Sequence, residues 1–582
     1  MITDLSQVRH IIACDTEYIP QEGLNQRPVC VCYEDLMTGN RGQVWCGDGI
    51  STPCPWPTGP RTLLVLFAAE ADCKTFIALG WELPTAVVCL YTEYKNLRNG
   101  GPRAGEGLLD ALHSFGYKVR THAAKEACRD LVLQGHWTPE ERTRVLEYCS
   151  DDVRDTKLLW SVMKNKISFP HAIIRGRFLP AVARMEVLGI PMDAGLQKAV
   201  RDHSREMLTV VAQEVSTAVP VINGLTVKRK LFTQWISHHG WNWPLTPTGL
   251  PKMDDDTLRD LSFLHPGIPL LRDYIRFERI TSGQAFPIGP DGMCRYRLWP
   301  FGQESSRSNP SSSEFVFGAA CWQRAYIRPP PGYALCYLDY SSQEPAVAAW
   351  VSGDRVMQED YASGDIYLAF GKRAGLVPAD ATKHSHREMR DCLKIAVLAM
   401  NYGMSAENLS YQIGTSKLEA KFILRAYKEL YPTYHAWSGR MLNATLCGIT
   451  QTTVFGWQRR SERDYTPRGK SVVNSIKNYP VQSNAAEMTR MACIRAIEAG
   501  LKICCPVHDA LLLLSPIETF EANKLVLKEC MRQASVDITG SLVVRTGSND
   551  IVYPSRYVDD RGASTWNRVK STLESKGWWK DG

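Results

Sequence analysis

The sequence predicts an α/β protein of several domains. Three observations carry that reading: short apolar strands that end in acids, helical stretches with charged faces between them, and 582 residues, enough chain for two to four cores. The chain is 44% hydrophobic and 22% charged, ordinary values for a globular protein. No run reaches the roughly 18–20 apolar residues of a membrane span. The start, MITDLSQVRH, carries no apolar leader segment, so a cytosolic chain is expected. The 18 cysteines are scattered and lack the paired C-x₂-C spacing of a zinc site, so reduced, buried thiols are expected. A net charge of +7 permits a polyanionic partner without demonstrating one.

Taken in order, VRHIIAC (8–14) reads as a strand running into Asp15-Thr16-Glu17. Pro- and Gly-rich loops follow, then the apolar segment LLVLFAAEADCKTFIALGW and the helical stretch EERTRVLEYCSDDVRDTKLLWSVMK. Together they predict an α/β domain of about 165 residues. Residues 172–220 read as helices interrupted by GIPMD, and residues 221–300 as a less regular region. PGYALCYLDYSSQE (331–344) is a strand ending in acid, and HSHREMRDCLKIAVLAMNYG (384–403) is a helix that stops at Gly403. Apolar strands flank His508-Asp509, and the tail STWNRVKSTLESKGWWKDG reads as a last helix docked by its tryptophans.

Three strands thus deliver an acid at their end: Asp15 with Glu17, Asp339, and Asp509. Two-metal phosphoryl chemistry needs carboxylates on rigid supports of this kind, because Mg²⁺ takes near-octahedral oxygen ligands about 2.1 Å away. Asp15 and Glu17, two apart on an extended strand, share a face. Tyr148 and Asp152 lie one helical turn apart, where a phenol could orient a water. Arg390, Lys394, Leu398 and Tyr402 recur every four residues, a stripe about 18 Å long whose cations suit triphosphate oxygens.

These residues resemble a known family. DYSSQE (339–344), RDCLKIAVLAMNYG (390–403) and VHDA (507–510) resemble motifs A, B and C of the family A DNA polymerases, the bacterial DNA polymerase I type. DTE (15–17) and YCSDD (148–152) resemble the first and third motifs of a DEDD-type 3′–5′ exonuclease. The layout is most similar to the short polymerases of bacteriophages and plasmids. The resemblance implies an RNase H-like exonuclease domain over 1–165, a thumb and connecting region over 166–300, and a palm over 301–582 with fingers inserted at about 350–445.

It also implies an activity: template-directed addition of dNTPs to a primer, with proofreading, by a monomer that takes primer–template DNA, dNTPs and two Mg²⁺ per active site, with Mn²⁺ as an alternative. Asp339 and Asp509 would be the polymerase metal ligands. Arg390 and Lys394 would hold the triphosphate, with Lys394 protonating the leaving group, and Tyr402 would close the base-pair pocket. Glu344 would be the steric gate against a ribose 2′-hydroxyl. Arg307 and Gln482 would touch the minor groove, where acceptors occur on every base pair, and His508 would lie against the primer end. Asp15, Glu17, Asp152 and a second-motif acid would bind the exonuclease metals, with Tyr148 beside the attacking water. We assign the second-motif acid to Asp72, with Glu70 as the alternative.

The chain departs from the family pattern at four positions. Ala68 stands where Asn is usual, Leu398 where Phe or Tyr is usual, Tyr367 where His is common, and Ala510 where an acid commonly follows the motif C Asp. The competing reading is a 3′–5′ exonuclease whose polymerase half is a degenerate DNA-binding module. The sequence leaves open whether the copied genome carries modified bases such as 2-aminoadenine.

Overall fold

The computed structural model describes residues 2–49, 52–101, 105–281, 285–401, 403–461 and 470–581. Its N-terminal sheet is built from β1 (His10–Ile19), β2 (Arg27–Asp35), β3 (Arg41–Trp45), β4 (Thr62–Leu66) and β5 (Val87–Cys89), in the order β3-β2-β1-β4-β5. β1 runs antiparallel to β2 and parallel to β4, so the sheet is mixed. All five residues of β4, TLLVL, are buried, as a strand covered on both faces requires. The segment read as one apolar stretch is therefore a strand followed by a helix, α1 (Ala69–Ala78). Beyond β5 come α2 (Leu90–Arg98), α3 (His122–Leu133) and α4 (Pro139–Met163). α4 starts in a capping box, Thr138 with Glu141, and lies across β1 and β2. Its buried face, Val145, Tyr148, Cys149, Asp152, Val153 and Thr156, follows the helical period and carries the polar residues of interest inward.

After α5 (Phe169–Gly176), further helices (Ala194–Asp202, Ser204–Ala218, Arg229–His239 and Gly267–Thr281) form the middle region, around Phe232, Trp235 and Trp243. The C-terminal sheet is four-stranded and antiparallel: β6 (Tyr333–Tyr340), β7 (Lys502–Val507), β8 (Ala510–Pro516) and β9 (Thr546–Val552), in the order β7-β8-β6-β9. Between β6 and β7 the chain makes a run of helices, among them α6 (Gln343–Ser352), α7 (Arg387–Asn401) and α8 (Lys470–Glu498). α9 (Phe520–Thr539) packs along α8. Pro480 lies inside α8, where it cannot donate to the carbonyl of Ile476, and Gln451 Nε2 takes up that carbonyl at 3.2 Å. The last helix, Ala563–Ser575, is docked by tryptophans as its sequence predicts. Trp566 is buried, and the Arg556 guanidinium lies 5.3 Å from its ring and 5.1 Å from that of Trp579.

The two sheets belong to one body. The turn and strand residues 451–461 dock against α2: Asn96 donates to the Gly456 carbonyl and accepts from the Gln458 N–H. Gly100 lets the backbone close in, since a Cβ there would lie 2.1 Å from the Arg460 oxygen. Beside this contact, Arg175 and Glu93 form a bidentate pair at 2.7 and 2.6 Å, each about 1% exposed, and Arg175 also donates to the Phe455 carbonyl. Among the described residues no helix is long and apolar enough to cross a membrane.

Candidate active sites

The first site sits at the ends of β6 and the β7–β8 hairpin. Val507 pairs with Ala510, so His508 and Asp509 are a two-residue turn, made possible by a left-handed His508 (φ 57°). Asp339 pairs with Ala510 on one side and with Gly547 on the other, and the Tyr340 N–H donates to the Asp509 carbonyl at 3.2 Å. Two carboxylates far apart in sequence are thereby brought to adjoining strand ends. Burial raises Asp509 to about 6, with the negative charges of Asp339 and Glu344 adding to the rise. Asp339 is also raised by burial, and Lys394 and Lys383 pull it back. Such a pair is short of positive charge and fits a divalent cation. Gly547 packs closely beside it: a Cβ there would lie 3.2 Å from Asp339 Oδ1, so a side chain would press on that carboxylate.

β6 passes into α6 through Ser342, which is left-handed (φ 56°), and this turn sets Glu344 in the first turn of the helix. Glu344 is engaged by Arg307, whose Nη2 donates to Oε1 at 2.7 Å. Burial lowers His508 below its usual range, and the nearby arginines Arg307, Arg324 and Arg561 lower it further. Arg390 is held by Asp365 at 2.5 Å and lies over the Tyr367 ring at 5.3 Å. Asp365 also caps the next helix by accepting from the N–H groups of Tyr367 and Leu368. Lys394 is exposed on α7, Leu398 half-buried, and Gln482 half-buried on α8. Tyr402 lies outside the described residues. Ala510 is fully buried against Asp339, where a second acid would add an uncompensated charge.

The second site opens on a cleft of about 830 Å³ lined by Asp15, Glu17, Asp72, Lys125, Tyr148 and Asp152. The sequence-predicted carboxylates therefore come together, and Asp72 rather than Glu70 lines the cleft. Glu70 is instead half-buried, with its Oε2 enclosed and without a hydrogen-bond partner, and desolvation raises it to about 7. Asp72 accepts from the Thr16 hydroxyl at 2.9 Å. Ala68, which precedes α1, is left-handed (φ 62°), a conformation Asn tolerates better. Burial raises Asp15, Glu17 and Asp72, Glu17 to about 8 and Asp72 to about 8, and neighbouring acids add to the rise. Asp152 differs from the other three in being fully paired: Oδ1 takes Arg120 at 2.5 Å and Oδ2 takes Lys125 at 2.7 Å. Three carboxylates driven toward their protonated forms in one cleft again fit divalent cations. Tyr148 is buried beside them and its phenol is raised by burial, then by Glu17, Asp152 and Asp15. Sequence reasoning missed Arg120, Lys125, Cys149, Asp365 and Lys383, none of which carries a local signal of its own except the helix-capping position of Asp365.

Residues 317–551 match the model of DNA polymerase family A. The chain is 32% identical to the thermostable DNA polymerase I of Thermus aquaticus over 427 residues, 68% of this chain and 50% of that protein. It is 31% identical to the thermostable DNA polymerase I of Thermus filiformis over 380 residues, 61% of this chain and 44% of that protein. The chain thus spans about half the length of the curated relatives it matches. Its fold is similar to the polymerase domain of Pol1 from M. smegmatis, solved in complex with DNA primer-template and dNTP. The TM-score is 0.70 at 18% identity, covering 93% of this chain and 95% of that one. The similarity over residues 317–551 is thus to DNA polymerase family A, and over the longer matched stretches to DNA polymerase I.

Proposed function

We propose that the chain is a template-directed DNA polymerase with a 3′–5′ proofreading exonuclease, serving the replication of a phage or plasmid genome. The observation that carries the polymerase reading is the meeting of Asp339 and Asp509 at adjoining strand ends, within a region that matches the family A model. The exonuclease reading rests on the second carboxylate cleft, Asp15, Glu17, Asp72 and Asp152 with Tyr148.

Asp339 and Asp509 would hold Mg²⁺ in the first site, and Asp15, Glu17 and Asp72 in the second, where Asp152 would first have to release Arg120 or Lys125. Bound there, the cations supply Lewis acidity and neutralise charge on the transferring phosphoryl group. The chain's own residues do the rest. Arg390, aimed by Asp365 and Tyr367, binds triphosphate oxygens, and Lys394, exposed one helical turn further along, delivers a proton to the departing pyrophosphate. Glu344, braced by Arg307, crowds the sugar, and Gln482 and Arg307 approach the minor groove of the primer–template. In the second cleft Tyr148 orients the water that attacks the terminal phosphodiester. Primer extension with dNTPs and Mg²⁺ tests the first reading: Asp509→Asn abolishes it, and extension at the wild-type rate would refute it.

A further inference from the structure

The antiparallel register of the N-terminal sheet places Cys32 opposite Asp15 and Cys30 opposite Glu17. Cys30 and Cys32, two apart on β2, therefore share the face on which the carboxylates stand. α4 crosses this face and adds Cys149 between Tyr148 and Asp152. The three sulfurs all lie within 4.8 Å of one another. Each residue is at most 1% exposed, in a shell made by Ala13, Val29, Leu131, Val132 and Val145. Cys149 joins this triangle to the carboxylates: its Sγ lies 3.3 Å from the Asp15 carbonyl and 3.7 Å from Asp15 Oδ2, and it forms a second compact group with Asp15 and Glu17.

Buried single thiols serve as small apolar residues. Three converging on one point, with a carboxylate oxygen beside one of them, form a ligand set. A tetrahedral ion with metal–sulfur bonds of about 2.3 Å needs sulfurs about 3.8 Å apart, a contraction of at most about 1 Å from the observed limit. Thiolates select borderline and soft cations, whereas Mg²⁺ takes oxygen ligands, so such a site would not compete for the Mg²⁺ of the cleft.

We propose that Cys30, Cys32 and Cys149 form a binding site for a thiophilic divalent cation, Zn²⁺ or Cd²⁺, with Asp15, beside Cys149, swinging in as the fourth ligand. The three thiols release their protons to solvent on binding. Occupation draws Asp15 away from the cleft and so slows primer degradation while leaving primer extension untouched. This consequence rests on the exonuclease reading; the binding itself does not.

The test uses the full chain, reduced and stripped of metal, loaded with one equivalent of Zn²⁺. X-ray absorption on the wild-type protein should show a shell of three sulfurs at about 2.3 Å. A shell of oxygen and nitrogen alone overturns the site without recourse to any variant. With Cd²⁺, the ultraviolet thiolate charge-transfer band should saturate at one equivalent. It should be lost in Cys30→Ser and Cys32→Ser and kept in Cys447→Ser, which alters an exposed thiol. A band unchanged in the first two variants also overturns the site. In a degradation assay with excess Mg²⁺, one equivalent of Zn²⁺ should slow the wild type at least tenfold and spare Cys30→Ser. A sulfur shell with no slowing upholds the site and overturns its coupling to Asp15. A chain that degrades no primer under any condition refutes the exonuclease reading and leaves the absorption result to stand alone.

Discussion

Asp509→Asn should make the metal-free protein more stable while abolishing the primer extension proposed above. In the native chain the Asp509 carboxyl titrates at about 6 because of its burial and the charges of Asp339 and Glu344, against an ordinary 3.8. A folded-state value above the unfolded one means the native state binds the proton more tightly. Above pH 6 the group is ionised in both states, and the native state bears the cost of holding that charge. Two units at 1.36 kcal/mol each give a cost of about 3 kcal/mol. Asparagine keeps the shape and removes the charge, so at pH 8 in EDTA the variant should gain about 3 kcal/mol. At about 2–4 °C per kcal/mol for a domain of 150–250 residues, that is a rise of about 6–12 °C in the unfolding transition of the region. The gain should shrink as pH falls through 6 and vanish below about 4, where aspartate is protonated in both states. Mg²⁺ should close part of the difference by stabilising the wild type more than the variant. Thermal scans of both proteins at pH 8 and pH 5, with EDTA and with Mg²⁺, measure this directly. A variant no more stable than wild type at pH 8 in EDTA would refute the idea that this site is held short of positive charge.

Three further outcomes follow from the same geometry. Glu93→Gln leaves Arg175 buried without its counter-charge and should cost about 3–5 kcal/mol, read by denaturant unfolding, whereas Glu93→Leu combined with Arg175→Met should recover most of the loss. Gly547→Val places a side chain against Asp339 Oδ1 and should lower single-turnover extension about 10²-fold with an unchanged circular dichroism spectrum. Glu17 and Asp72, both raised to about 8, hold protons at neutral pH, so Mg²⁺ binding to the second cleft should release them. Calorimetric titration in buffers of different ionisation enthalpy at pH 7 should show that release, and it should fall away above pH 8.

The parts of these sites that the sequence makes legible are those set by local pattern. An apolar run ending in an acid is a strand with a carboxylate at its tip, and Asp339 and Asp509 lie where that pattern puts them, whereas Asp15 and Glu17 sit inside β1, which stays paired with β2 and runs on to Ile19. Cys149 and Asp152 are on the buried face of α4 because the helical period requires it, yet nothing local says what they meet. The partners are set by tertiary register: Cys32 faces Asp15 through strand pairing, Lys125 and Arg120 reach Asp152 from the segment before α4, and Asp365 captures Arg390 across a helix packing. The scattered cysteines illustrate the same limit. Their spacing argued against a metal site, but the thiols that converge come from β2 and α4, and only the folded sheet brings them within 4.8 Å. Ala510 reads as a missing acid in sequence and as a fully buried neighbour of Asp339 in the fold.

The central claim, one chain with a synthetic and a degradative carboxylate site, is tested most directly by one gel. A labelled primer–template with a matched or mismatched 3′ end is incubated with Mg²⁺, with and without dNTPs, and with wild type, Asp509→Asn and Asp15→Asn. The account predicts that wild type extends the matched primer and trims the mismatched one. Asp509→Asn should trim without extending, and Asp15→Asn should extend without trimming. Extension by Asp509→Asn at the wild-type rate, or undiminished trimming by Asp15→Asn, would contradict it.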